Sequence, residues 1–305
     1  MPHMSAARTP AGLTGEPPSW FTEALAVPAE DRQVRVNGAS VSYRAWGTPG
    51  TRGAVLVHGT AAHARWWDHI APFLQADGMR VAAISISGHG DSDHRDLYSL
   101  DQWAAEVVAV AADAGIAGSP FLIGHSLGGH VAVRTAALHG ASLGGVIVID
   151  SIVFEDSPPP ELHSLAMGFG AARTYPTREA VTARFRLVPE HPVLPYVREH
   201  VAAGSVTVKD NGEWGWKFDQ SLFSKMEQPS RPFEAKVGCQ VAILRGQHGL
   251  MTPAMAAQLG DWVGQSAPVA EIPAAGHHVL LDQPLSLVAA LRAVLAGWSA
   301  ARPPE

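Results

Sequence analysis

The chain has 305 residues, 47% of them hydrophobic and 16% charged, with a formal net charge of −6. That composition suits a globular protein with a sizeable core and argues against disorder as the main state. No dense Lys/Arg block marks a nucleic acid or an anionic membrane as partner, and no apolar run approaches the length of a bilayer span.

The first 29 residues, rich in Pro, Gly and Ala, read as a loose arm without the basic-then-apolar pattern of a secretory signal. A cytoplasmic location is the default expectation. RQVRV and ASVSYRAW read as an antiparallel pair turning at Asn37-Gly38. AVLVHG is a buried strand, followed by a helical stretch in WWDHIAPFLQA. RVAAISISG is the next strand, and SLDQWAAEVVAVAADAG carries apolar residues at helical spacing. PFLIGHS is a strand, LGGHVAVRTAALHG a helix rich in small residues, and GVIVID another strand. The rhythm breaks at Ser151. From there to about residue 232 only helical pieces, prolines and one weak strand, SVTV, are recognisable. It resumes with CQVAILRG, the helical TPAMAAQLGDWVG, the strand APVAEIP and a last helix in PLSLVAALRAVLAGW. The single cysteine, Cys239, excludes an intrachain disulfide and reads as a buried structural thiol.

Continuous apolar strands separated by helices imply a mainly parallel α/β sheet covered on both faces. Residues 30–150 and 233–305 form its core, and 151–232 a mostly helical cap inserted at the sheet edge where ligands of open α/β folds bind.

The run Gly124-His125-Ser126-Leu127-Gly128 fits G-x-S-x-G between a strand and a helix, the context that gives this pattern chemical meaning. A sharp strand-to-helix reversal leaves no room for neighbouring side chains and holds the serine hydroxyl clear of the sheet. Serine is a weak nucleophile unless a base is beside it. One histidine among fifteen says little, but His277 in AAGHHVLLDQP follows the last strand and so reaches the same sheet edge. It is preferred to His278, which is expected to pack or face solvent. Thr60, after His58-Gly59, and Leu127 are placed to offer backbone N–H groups to an oxyanion.

VHGTAAHARWWDHIAPFL, the GHGDS run at 88–92, GHSLGG and GHHVLLDQP together resemble the α/β-hydrolase fold superfamily from about residue 30 to the end. The resemblance implies Ser126 as nucleophile, His277 as base and Thr60 with Leu127 as oxyanion hole. It also implies a structural turn at Asp91-Ser92 and a helix-entry acid at Asp282. The chain departs from that pattern in one place. The loop after CQVAILRG, where the family most often carries its third catalytic residue, is GQHGLMTP and has no carboxylate. Asp150 ends GVIVID, the strand at whose end members of that family with a relocated acid carry it. The resemblance, with the preserved order Ser, Asp, His, thus implies Asp150 as the acid; Glu155 and Asp156 are weaker substitutes, and a plain turn-capping role is the alternative.

His125, Trp66, Trp67, Trp214 and Trp216 are the expected substrate contacts, and Arg173, Arg184, Arg186 and Lys217 are candidates for recognising a carboxylate. A proline-rich aromatic lid, with Tyr175, Phe185, Tyr196, Phe218 and Met167, suits a small to medium, largely apolar acyl group. The expected reaction is hydrolysis of an ester, lactone or thioester through an acyl-enzyme. C–C bond hydrolysis, perhydrolysis or mere ligand binding on the same fold are the alternatives. No metal or other cofactor is implied, because no histidine–carboxylate set has ligand spacing along the chain.

Overall fold

A computed structural model describes residues 16–152, 173–227, 237–264 and 267–300. Most of the N-terminal arm, and Glu155, Asp156 and Met167, therefore lie outside the described residues.

Eight strands form one sheet in the order β1-β2-β4-β3-β5-β6-β9-β10. They are β1 (Glu30–Val36), β2 (Ala39–Trp46), β3 (Arg52–Val57), β4 (Arg80–Ile84), β5 (Ala117–His125), β6 (Gly145–Ile149), β9 (Val241–Gly246) and β10 (Val269–Ile272). The first hairpin turns where expected: Asn37 and Gly38 both have positive φ, at 47° and 85°, the conformation a tight two-residue turn between twisted strands requires. β2 runs antiparallel to β4, and from β4 to β10 every pairing is parallel.

The apolar runs are continuous because both faces of the sheet are covered. Leu56, Phe121, Ile147 and Leu244 project to one side, where they meet Trp46, Ile70 and Leu291. Val55, Leu122, Val148 and Ile243 project to the other, against Trp103, Val107 and Val131. A strand with a single buried face would instead alternate apolar with polar residues. α1 (Ser19–Ala26) and α2 (Ala71–Ala76) pack on the first face through Phe21 and Leu74; behind the second lie α3 (Leu100–Asp113), with the Ser99 side chain accepting the Gln102 amide as N-cap, and α4 (Leu127–His139).

Two elements differ from expectation. The stretch WWDHIAPFLQA divides into a 3-10 turn, Ala64–Trp67, and a short helix, Ala71–Ala76, which starts at a proline-compatible position with Pro72 in its first turn. β4 stops at Ile84 rather than continuing through SISG, because the next residues serve the loops. The Ser85 hydroxyl accepts the Ala64 amide, and the Ser87 amide goes to the buried Glu106 carboxylate.

Between β6 and β9 the described residues 173–227 hold the helices Arg178–Thr182, Pro195–Gly204 and Leu222–Lys225. The weak strand is real, β7 (Val206–Val208), and it pairs with a strand the sequence did not reveal, β8 (Trp214–Trp216). A three-residue strand with glycine at its centre carries no readable period. This segment is tied to the sheet by polar contacts: His63 Nε2 to the Ser205 hydroxyl (2.9 Å), the Asp219 amide to the Gly88 carbonyl (2.7 Å), and Lys217 Nζ to Asp91 (2.5 Å). Among the described residues no helix is long and apolar enough to cross a membrane.

Candidate active site

Parallel strands deliver their C-terminal ends to one edge, and the candidate residues follow those ends. Ser126 follows β5, Asp150 follows β6, His58-Gly59-Thr60 follow β3, and His277 lies in the loop after β10.

Ser126 stands at the start of α4 with φ 54° and ψ −120°, a conformation an L-residue adopts only under constraint, at a cost of about 1–3 kcal/mol. The constraint is visible. Its amide donates to the Ile149 carbonyl (3.0 Å), and its carbonyl accepts from the Gly129 amide (2.9 Å) and the Ser151 hydroxyl (2.8 Å). A Cβ on Gly124 would overlap the Gly128 carbonyl, one on Gly128 the Val57 carbonyl, and one on Gly129 the Ser151 hydroxyl. The glycines thus let strand, helix and the end of β3 cross at backbone contact.

His277 is buried, with Nε2 3.2 Å from Ser126 Oγ and Nδ1 2.7 Å from Asp150 Oδ2. Asp150 is fully buried, at a φ of 43°, and accepts the backbone amides of Gly246 (3.1 Å, Oδ1) and Leu250 (2.8 Å, Oδ2). With the carboxylate accepting from Nδ1–H, the Nε2 lone pair is left facing the hydroxyl, the tautomer a general base needs. The loop GQHGLMTP, which has no acid of its own, thus supplies two amides to the acid of the neighbouring strand. A Cβ on Gly249 would overlap the Asp150 carboxylate, so this loop is cleared of side chain where Asp150 enters.

Gly59 lies against the elbow: a Cβ there would sit 3.1 Å from Ser126 Cβ and 3.2 Å from His125 Nδ1. Thr60 follows it, half-buried, and Leu127 opens α4 directly after the serine. His58 braces this loop. Its Nε2 accepts the Ile86 amide (3.2 Å) and its Nδ1 donates to the Gly59 carbonyl (2.6 Å), while burial holds its pKa well below 6.5 and keeps it neutral. Asp282 holds the histidine loop by accepting the Gly276 amide (2.5 Å), and it also faces His191 Nε2 (3.2 Å).

The expected substrate contacts divide. Trp66, itself buried, is 6.5 Å from Phe185, which is 6.4 Å from Trp216, an aromatic row leading from the 3-10 turn after β3 into the segment between β6 and β9. Trp67 has no exposed surface and belongs to the core around Ile70 and Leu74, so it offers no face to a ligand. Trp214 lies beneath Arg178, at 6.0 Å, and its backbone bridges Tyr175. His125 is also buried, and its Nε2–H donates to the His277 carbonyl (2.8 Å). It steadies the base rather than presenting an open face, and burial lowers its pKa to about 3. Lys217 is already paired with Asp91, and Arg184 lies over the Tyr175 ring at 5.5 Å. Cys239 is partly buried, and burial raises its thiol to about 11.

One grouping was invisible along the chain. His278 stacks on His191 (5.1 Å between rings) and, with His125 and His277, places three imidazoles together. Their positions in sequence are too far apart, or too close, to suggest it.

A parallel sheet with a strained serine elbow, a histidine on a distant loop and a buried acid after a neighbouring strand define an α/β-hydrolase architecture. Residues 54–291 match the model of the alpha/beta hydrolase family, and the chain belongs to that family. It is 27% identical over 274 residues to esterase Rv0045c of Mycobacterium tuberculosis, covering 86% of this chain and 88% of the relative. It is 28% identical over 257 residues to pimeloyl-[acyl-carrier protein] methyl ester esterase of Nitrosomonas europaea, covering 79% and 94%. Among solved structures, E-2-(acetamidomethylene)succinate hydrolase superposes with a TM-score of 0.76 at 19% identity, covering 88% of this chain and all of that one. That likeness establishes the fold.

Proposed function

We propose that this protein is a serine hydrolase of carboxylic esters, with Ser126 as nucleophile, His277 as general base and then acid, and Asp150 as the carboxylate that orients and stabilises His277. The observation that carries the reading is the continuous chain from Ser126 Oγ through His277 to the doubly amide-bonded Asp150, at 3.2 and 2.7 Å. The esterases among the relatives support the same bond class.

In the first half-reaction Ser126 Oγ attacks the acyl carbon as its proton passes to His277 Nε2. The carbonyl oxygen becomes an oxyanion between the N–H groups of Thr60 and Leu127, where each donor contributes about 3–4 kcal/mol of transition-state stabilisation. The ester C–O bond then breaks, and His277 returns the proton to the departing alcohol. In the second half-reaction His277 takes a proton from water, the hydroxide attacks the acyl-enzyme, and the carboxylic acid leaves as Ser126 regains its proton.

Residues 151–232 act as a cap over this edge, and Trp66, Phe185 and Trp216 form an apolar wall for a small to medium acyl group. The partner is a small-molecule substrate, lactones and thioesters included.

The test is a panel of p-nitrophenyl esters of increasing chain length, with lactones, on wild type beside Ser126→Ala, together with labelling by a fluorophosphonate. Wild type should turn over short and medium esters and be labelled at Ser126. Ser126→Ala should lose about 10⁴-fold or more of kcat and all labelling. Hydrolysis that survives in Ser126→Ala refutes the assignment; absence of both turnover and labelling in wild type would favour a ligand-binding role.

A further inference from the structure

The loop that carries the base is touched on both sides of His277 by one side chain, His191, from the segment between β6 and β9. A Cβ on Gly276 would come within 2.6 Å of His191 Nε2, 2.7 Å of Cδ2 and 2.9 Å of Cε1, so the imidazole rests directly on that glycine. On the other side of His277, the His191 and His278 rings stack with centroids 5.1 Å apart and planes at 14°. The edge of the same ring meets the anchor of the loop. Nε2 is 3.2 Å from Asp282 Oδ2, the oxygen that accepts the Gly276 amide at 2.5 Å. Two neighbours of His191 add to the seam: the Leu194 amide donates to the Leu281 carbonyl (3.0 Å), and the Pro189 carbonyl lies beside the His278 ring.

Gly276 has no positive φ, so its backbone does not demand glycine. The atoms nearest to an added Cβ all belong to His191, and the missing side chain is the seat of that ring. The hydrogen bonds of His277 to Asp150 and Ser126 orient its imidazole but do not fix the backbone that carries it. At 3.2 Å from Ser126 Oγ, Nε2 already stands at the far end of the range for proton transfer. A displacement of about 1 Å at a reacting group can cost about 10²-fold in rate.

We infer that His191 is a positioning residue for the reaction: packed on Gly276, His278 and Asp282, it makes the segment between β6 and β9 part of the support that holds His277 within reach of Ser126. The role belongs to the flat ring as a packing body, since Nε2 meets Asp282 without hydrogen-bond geometry. The inference rests on the reading of His277 as the base.

The experiment compares wild type, His191→Ala, His191→Phe, Gly276→Ala and the double variant His191→Ala/Gly276→Ala, each as the full chain with folding checked by circular dichroism. His191→Ala should lower kcat and kcat/KM together by about 10- to 100-fold, with KM within about threefold of wild type. Fluorophosphonate labelling should slow to a similar degree yet reach the wild-type end point, whereas a protein that has merely lost stability would lose end point. His191→Phe returns a flat ring with its positive edge toward the Asp282 carboxylate and should recover most of the loss. Gly276→Ala should impair turnover while His191 is present and cost less than about twofold more once it is gone. Independently of any substrate, the His277 Nδ1 proton, read by NMR of protein labelled with ¹⁵N-histidine, should exchange with water at least about tenfold faster in His191→Ala than in wild type.

A kcat for His191→Ala within about twofold of wild type overturns the inference, as does a fully additive loss in the double variant or unchanged exchange of the Nδ1 proton. If wild type neither turns over esters nor takes the label, the reading of His277 as the base fails, while proton exchange still decides whether His191 holds the loop. Should His191→Ala fail to fold, His191→Gln, which also lacks the ring, is judged by the same criteria.

Discussion

The replacement Asp150→Asn tests the least conventional part of the site. In the native protein Oδ1 accepts one amide, from Gly246, and Oδ2 accepts two donors, Leu250 N–H and His277 Nδ1–H. An asparagine amide can satisfy only one side. With its oxygen toward Gly246, its NH₂ group confronts the Leu250 amide and must donate to His277 Nδ1, which drives the proton to Nε2 and removes the lone pair from Ser126. With its oxygen toward Leu250 and His277, the tautomer survives, but the Gly246 amide loses its acceptor and no anion faces the imidazolium that forms during attack. Either orientation leaves one buried donor unpaired, a stability cost of about 1–3 kcal/mol. The catalytic cost runs from about 10²-fold where only charge stabilisation is lost to about 10⁴-fold where the tautomer is wrong, or about 3–5 kcal/mol in the barrier. The measurement is kcat and kcat/KM on the best p-nitrophenyl ester, with circular dichroism to establish folding and the rate of fluorophosphonate labelling as an independent gauge of Ser126 reactivity. A folded Asp150→Asn protein whose turnover falls less than about tenfold would refute the acid assignment, since that is under 1.4 kcal/mol in the barrier.

Two further perturbations follow from the same geometry. Gly249→Ala places a methyl group on the Asp150 carboxylate; we expect displaced carboxylate, a stability loss of about 1–3 kcal/mol and at least about tenfold lower kcat, and unchanged kinetics would show that the loop does not seat the acid. Acid should unfold the protein early. The buried histidines His63, His69, His89, His125 and His130 have pKa values lowered to about 3–4 by burial, whereas the unfolded chain binds their protons at about 6.5. The stability that this difference protects is intact above pH 6.5 and is lost progressively as pH falls toward the folded values, on the order of 1 kcal/mol per histidine for each pH unit below 6.5. Together these approach the whole stability of a typical domain, so urea midpoints should drop steeply between pH 6.5 and 5; a flat profile over that range would contradict the burial of neutral imidazoles.

The parts of this molecule that were legible in its sequence are those set by local chemistry. Asn37-Gly38 requires the turn it makes, the unbroken apolar runs require a sheet covered on both faces, and the glycines around Ser126 require a close crossing of strand and helix. The aromatic residues were legible only as a group: Trp66 and Trp67 are adjacent and alike in composition, and both are buried in the core on the same face of the sheet, yet it is Trp66 that meets Phe185 and, through it, Trp216. Which side of a 3-10 turn each indole takes is decided by packing, and no period in the chain encodes it. Asp282 read as a helix-entry residue, and it does stand two residues before the last helix begins at Pro284; what the sequence did not show is that its carboxylate also accepts the Gly276 amide.

Asp150 lies between these cases, and the reason is physical. Its candidacy came from an empty loop, since a proton-accepting imidazole needs a carboxylate and GQHGLMTP has none. A vacancy in one loop identifies a need but not its remedy. What makes Asp150 fit is that the same loop is shaped to receive it. Gly249 has no side chain where the carboxylate enters, Gly246 and Leu250 turn their amides inward, and Asp150 itself takes a φ of 43° to face them. Buried and without a cation beside it, a carboxylate is tolerable only when such donors replace its lost water. Seating the acid after β6 therefore depends on residues in two places, and a carboxylate added to the loop alone, as in Gly249→Asp with Asp150 retained, would set two anions against each other. That double acid should be less stable and less active than wild type, whereas Gly249→Asp combined with Asp150→Gly should recover part of the activity that Asp150→Gly loses.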